Sequence, residues 1–177
     1  MLLLALGWPD AAAAQGRLEV ATIAGQLRAV CLEGRHGTVA TYALNGQRLT
    51  SLDHGCTEGA RSGLALRGTW ESPRATTLLM AVPADEGLLY HRLLRVSADG
   101  APLLMELDAS FPVSGGRLST NRFRLVQYGR NEDGDEWDCQ YDVDFAMRTL
   151  SWRVTRTTDP GIADWICGAE LRDVPFD

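Results

Sequence analysis

Apolar and polar residues alternate in short runs along most of the chain. From Glu136 to Phe145 the alternation is unbroken: Trp137, Cys139, Tyr141, Val143 and Phe145 fall on one face, and Glu136, Asp138, Gln140, Asp142 and Asp144 on the other. A period of two is that of a strand with one face in a core and one in water. Leu18–Thr22, Leu27–Leu32, Phe123–Tyr128 and Leu150–Arg156 carry the same pattern, and Leu64, Leu66 and Trp70 alternate as well. Thr76–Val82 is a β-branched and apolar run closed by Pro83; Leu88–Val96 answers it across Ala84-Asp85-Glu86-Gly87, and Ala98-Asp99-Gly100 turns the chain into Pro102–Ala109. Between Thr38–Leu44 and Gln47–Leu49 stands Asn45-Gly46, the dipeptide that best tolerates the two positive φ angles of a type I′ hairpin turn.

These runs predict one all-β domain, an antiparallel sandwich or closed barrel of about 8–10 strands with at most one short helix near the C-terminus. Ser114-Gly115-Gly116 reads as a loop. Residues 160–167 are compatible with either element. Asp159-Pro160 is a good helix start and Gly168 a good stop, whereas the pattern acid-Trp-x-Cys, at Glu136–Cys139 and again at Asp164–Cys167, suits a pair of strands.

The first residues follow a different rule. Leu2–Trp8 is a short apolar block followed by Ala11–Ala14, and Ala12 and Ala14 have the spacing a signal peptidase reads, although no Lys or Arg precedes the block. The expectation is a signal peptide over residues 1–14 and a single domain over 15–177 that works in the periplasm or outside the cell.

Composition narrows the picture further. A chain of 177 residues, 45% hydrophobic and 23% charged, suits one globular domain with a substantial core. After residue 15 no apolar run approaches the ~20 residues of a membrane-spanning helix. The net charge of −6 argues against nucleic acid as a partner. All 17 basic residues are arginine, the better partner for a planar carboxylate.

Cys31, Cys56, Cys139 and Cys167 are four in number and sit behind the apparent leader, which reads as two disulfides. The sequence-local pairing, Cys31–Cys56 and Cys139–Cys167, is favoured over the other two. No C-x(2–4)-C pair suggests zinc, and no C-x-x-C suggests redox chemistry.

Catalytic motifs are sparse. The chain has no H-E-x-x-H, P-loop or G-x-G-x-x-G motif, and Gly59-Ala60-Arg61-Ser62-Gly63 lacks the spacing of a nucleophile elbow. Asp53-His54 are adjacent, so on a strand they would face opposite ways; His36 and His54 read as loop residues, and His91 lies among apolar neighbours. The sharpest local feature is the acidic hairpin around Asn131-Glu132-Asp133-Gly134-Asp135, which resembles the opening of a calcium loop. Asn131, Asp133 and Asp135 are the candidate ligands. The match is partial, because the glycine comes two places early for an EF-hand, and a polar turn without metal is the competing reading. Farther along, Arg122, Arg124 and Arg153 on the flanking strands are expected across from or diagonal to Asp142 and Asp144, which makes the strand carboxylates mostly structural.

No catalytic constellation emerges, and no cofactor is expected beyond the calcium candidate. The sequence therefore points to a secreted or periplasmic domain that acts by binding, with a protein or a cell-envelope polymer as its partner. The alternatives are a small carboxylate-dependent hydrolase and a calcium-stabilised structural module.

Overall fold

The computed structural model describes residues 17–34, 37–49, 54–56, 65–83, 89–98, 102–107, 113–130, 133–158 and 167–176. The leader expected over 1–14 lies outside them. So do residues 160–166, which leaves the choice of strand or helix there open.

Antiparallel strands form three sheets. The first contains β1 (Arg17–Thr22), β2 (Gly25–Gly34), β3 (Gly37–Leu44) and β4 (Gln47–Arg48), with β5 (His54–Cys56) also paired to β3. The second is a meander of β6 (Ala65–Ser72), β7 (Ala75–Pro83), β8 (Leu89–Ser97) and β9 (Leu103–Leu107). The third is a meander of β10 (Val113–Arg117), β11 (Arg122–Arg130), β12 (Glu136–Asp144) and β13 (Thr149–Thr157). The last strand, β14 (Ala169–Asp173), returns to the second sheet beside β9, giving the order β14-β9-β8-β7-β6.

The second sheet lies between the other two. Leu78, Met80, Leu94, Val96 and Leu104 share a core with Val20, Leu27, Tyr42 and Leu44 of the first sheet. Their neighbours Leu79, Leu93, Met105 and Leu107 share a second core with Phe123, Leu125, Trp137, Tyr141 and Val143 of the third. A strand covered on both faces has no reason to alternate, which is why β7 and the Leu93–Leu94 centre of β8 carry apolar residues on both faces. The expected all-β antiparallel class is present, in three layers of sheet.

Asn45-Gly46 forms the expected turn, with φ of 53° and 81°. Asn45 also ties this turn to the β1–β2 turn. Its Oδ1 accepts from the Gln26 amide at 2.9 Å, and its Nδ2 donates to the Ala24 carbonyl. A Cβ at Gly25, where φ is 122°, would fall 1.8 Å from Asn45 Oδ1, so that position excludes other residues by both conformation and space.

Two expectations need correction. Ser114-Gly115-Gly116 is not a loop but lies within β10, paired to β11. Gly115 has φ of 141°, and a Cβ there would lie 2.2 Å from the Arg124 carbonyl oxygen; the glycine lets the two backbones approach. The strands also exceed the expected number, fourteen being present among the described residues. The additional strands include β5, too short to show a period, and the glycine-bearing β10.

The sheets are fastened to one another. Cys139 on β12 and Cys167, two residues before β14, form the expected disulfide, both of them buried. Arg148 in the β12–β13 turn pairs with Asp173 on β14, and Arg117 Nη1 donates to the Glu71 carbonyl at 2.9 Å. Beyond β14, Val174 is buried in the first core, and Phe176 bridges to Leu49 of the first sheet. Cys31 lies on β2 and Cys56 on β5, the strands flanking β3; the side chains of that expected pair lie outside the described residues.

Candidate functional site

The acidic hairpin divides into a strand part and a turn part. On the strand the alternation places the carboxylates on the solvent face of the third sheet, and arginines meet them from both sides. Arg124 lies opposite Asp142 and grips it with Nε at 2.7 Å and Nη2 at 3.3 Å, while Gln140 Nε2 donates to the same carboxylate at 2.7 Å. Arg122 stands 3.9 Å from Asp144. Burial pushes the Asp142 pKa up, but the bonds from Arg124 and Gln140 and the charges of Arg124 and Arg153 outweigh it, so the carboxyl is held below its ordinary value. Arg156 binds Asp138 through Nε at 3.0 Å and Glu136 through Nη1 at 3.1 Å. Simple alternation does not place Arg156 on this face. A bulge between Asp138 and Cys139 shifts the register, so Asp138 faces Arg156 while Cys139 faces Val154.

At the turn, Asn131 lies outside the described residues. Asp133 is exposed, and Gly134 takes φ of 90°. Asp135 Oδ1 accepts from Thr158 Oγ1 at 3.2 Å, and that hydroxyl oxygen in turn accepts from the Glu136 amide at 3.0 Å. The Arg130 guanidinium lies over the turn, with Nη2 3.4 Å from where a Cβ on Gly134 would be. Asp135 is therefore engaged by Thr158, just beyond the end of β13. Among the described residues no three His, Cys, Asp or Glu side chains are grouped to hold a metal ion.

Sequence reasoning missed the site with the most developed geometry. Arg95 lies on β8 within the apolar run Leu93–Val96 and faces the third sheet, 7% exposed. Its Nη1 donates to Thr77 Oγ1 at 3.3 Å and to the Thr120 carbonyl at 3.1 Å; its Nη2 donates to Asn121 Oδ1 at 2.6 Å. The guanidinium carbon sits 5.5 Å from the centre of the Phe145 ring, a cation–π contact. Burial lowers the Arg95 pKa and the charge of Asp144 raises it; a guanidinium keeps its proton throughout. An arginine inside a doubly covered strand was the available signal, since a charge is placed there only with dedicated partners; Arg92 on the same strand is buried as well.

Arg95 lines a pocket of about 490 Å³, within the ~300–1,000 Å³ of small-molecule sites. The β6–β7 turn contributes Ser72, Pro73 and Arg74, and β8 adds Ser97; Thr120 and Asn121 come from the β10–β11 turn, and Phe145 and Ala146 from the turn after β12. These turns are braced. Phe145 N donates to the Asn121 carbonyl at 3.0 Å, and Asp144 Oδ1 accepts from Ala146 and Met147 amides at 3.0 and 3.1 Å. Leu118 and Met147, on the same two turns, are the most exposed large apolar side chains among the described residues, at 54% and 72%.

The remaining candidates fall elsewhere. His91 is buried, with Leu107 and Ala81 opposite it on the neighbouring strands, in keeping with an apolar sheet face. His36 lies outside the described residues. His54 begins β5 instead of a loop, and its side chain is likewise outside them. Trp137 is core, at 3% exposed, and Trp70 packs edge-on against Phe123 at 5.3 Å. Trp152 takes the apolar phase of its strand, shared with Leu150 and Val154, which predicts a core position, yet it is 42% exposed; it lies opposite buried Tyr141, but β13 is the edge strand of its sheet. Comparison of the chain with protein-family models, curated proteins and solved structures finds no match among any of them.

Proposed function

We propose that the chain is a non-catalytic binding domain of the periplasm or the cell exterior, taking a protein or a cell-envelope polymer as its partner at the Arg95 pocket. The observation that carries this reading is the buried arginine, held by three acceptors at the wall of an open pocket. A fixed charge with a hydrogen-bonding surround is what a recognition site requires. The lining side chains are serine, threonine, asparagine, arginine and apolar groups. None of these ordinarily exchanges a proton near neutral pH, so the described lining offers an anchor and no general acid–base pair. The buried disulfide between Cys139 and Cys167 supports an oxidising compartment, and no helix among the described residues is long and apolar enough to cross a membrane.

The test is retention of cell-envelope material by the immobilised chain. Wild-type protein should hold a fraction that Ala146→Trp, which fills the pocket mouth, releases. Equal retention by both proteins overturns the assignment to this pocket. Turnover of an envelope polymer by the purified chain overturns the non-catalytic reading.

A further inference from the structure

We propose that the Arg95 pocket recognises a sugar carboxylate, so that the partner is an acidic glycan carrying uronic acid units. The inference rests on the binding-domain reading above and deepens it.

The charge of the pocket comes first. Among the described residues its lining contains Arg74 and Arg95 and no carboxylate. Asp144 lies near enough to act on Arg95 through charge, but its Oδ1 is committed to the turn amides of Ala146 and Met147. The pocket thus presents net positive charge within a chain whose overall charge is −6, and a concave wall of low dielectric focuses that field.

Donor geometry comes next. The hydrogen bonds of Arg95 to described residues use its two Nη atoms and the acceptors Thr77, Thr120 and Asn121. A guanidinium carries more N–H groups than these occupy, arranged in a planar fork that matches the two oxygens of a carboxylate. The surrounding bonds fix that plane, so little rotamer freedom is lost when the ligand arrives. A single flat fork suits a monoanionic carboxylate. A phosphate dianion is better served by several donors converging from different directions.

The surround distinguishes a sugar from other carboxylates. Ser97, Thr120 and Asn121 line the pocket with hydroxyl and amide groups, and such groups both donate and accept, as sugar hydroxyls do. Phe145 and Leu103 supply apolar wall for the C–H face of a pyranose ring. Arg74 is exposed at the β6–β7 turn and can meet the charge of a neighbouring uronate along the polymer.

Calorimetric titration of the full chain tests this with methyl β-D-glucuronide, the neutral methyl β-D-glucoside, N-acetylglutamate and inorganic phosphate as probes. The glucuronide should bind at least about tenfold more tightly than the glucoside, as expected of a charge-assisted bond. Arg95→Lys should remove most of that preference. Arg74→Ser, at an exposed turn where folding is indifferent, should weaken the glucuronide about two- to fivefold and reduce the salt dependence. Equal binding of glucuronide and glucoside, or of neither, while Ala146→Trp still releases envelope material, overturns the carboxylate inference and leaves the binding-domain reading standing. Tighter binding of N-acetylglutamate or phosphate than of glucuronide overturns the glycan assignment. Failure of the chain to retain any envelope material, together with silence of all four probes, overturns both.

Discussion

Replacing Cys139 and Cys167 together by alanine should cost about 4–5 kcal/mol. The two cysteines are 28 residues apart, and in the chain-entropy account closing a loop of that length removes about 3.5 kcal/mol of unfolded-state freedom. Both side chains are buried, at 0% and 2% exposed, so loss of the sulfur atoms adds roughly 1 kcal/mol of unfilled space. The bond also joins β12 of the third sheet to the segment leading into β14 of the second. A domain has about 5–15 kcal/mol in total, so the double variant should sit close to the edge of folding. Urea titration at neutral pH measures the difference, with Trp137 fluorescence as the probe because that indole is buried beside the same strand pair. A loss of less than 1 kcal/mol would show that β14 is held by its pairing with β9 alone, and the stapling argument would be wrong. Buried sulfurs also imply slow reduction of the native protein by dithiothreitol and fast reduction once urea is added.

Gly25→Ala should cost more than about 2 kcal/mol through backbone strain and collision with Asn45, measured as a drop in melting temperature that Asn45→Gly only partly relieves. Leu78→Ala and Leu79→Ala should each cost about 2–5 kcal/mol, because these adjacent residues are buried on opposite faces of the second sheet; a negligible loss for either one would remove a layer from the architecture. Asp142→Asn should cost about 0.5–1 kcal/mol, discounted for the partly exposed partner Arg124. The folded pKa of Asp142 is depressed, so its contribution is present above the unfolded value near ~3.9 and is lost as pH falls through the lower folded value. The gap between wild type and variant in urea titrations should accordingly be full at pH 7 and close below about pH 4; a gap that persists at pH 2 contradicts the ion-pair account.

The strands were legible where one face meets water. Glu136–Phe145 alternates because one side carries Trp137 and Tyr141 into the core and the other carries Asp138 and Asp142 to arginines, so both burial and pairing follow from phase. The doubly covered strands β7 and β8 were legible as strands but not as a middle layer, since apolar residues on both faces record burial without saying what lies on each side. Ser114-Gly115-Gly116 misled because glycine is a turn signal taken alone, and only the close approach of the Arg124 carbonyl explains it within β10. Trp152 misled because phase does not tell an edge strand from a central one. Arg156 was hidden by a bulge of one residue, which reverses the phase beyond it. The Arg95 pocket assembles three turns from distant parts of the chain, and no local spacing records such a convergence. The one trace it left was a charged residue between Leu94 and Val96.

The most direct test of the pocket's role is the Nε–H resonance of Arg95 in the ¹⁵N spectrum of the labelled chain, assigned by its loss in Arg95→Lys. Saturation with methyl β-D-glucuronide should shift that resonance and the side-chain amide signals of Asn121, while the same concentration of methyl β-D-glucoside should leave them in place. An Arg95 signal that stays put while the glucuronide saturates the protein and perturbs other residues would contradict the account.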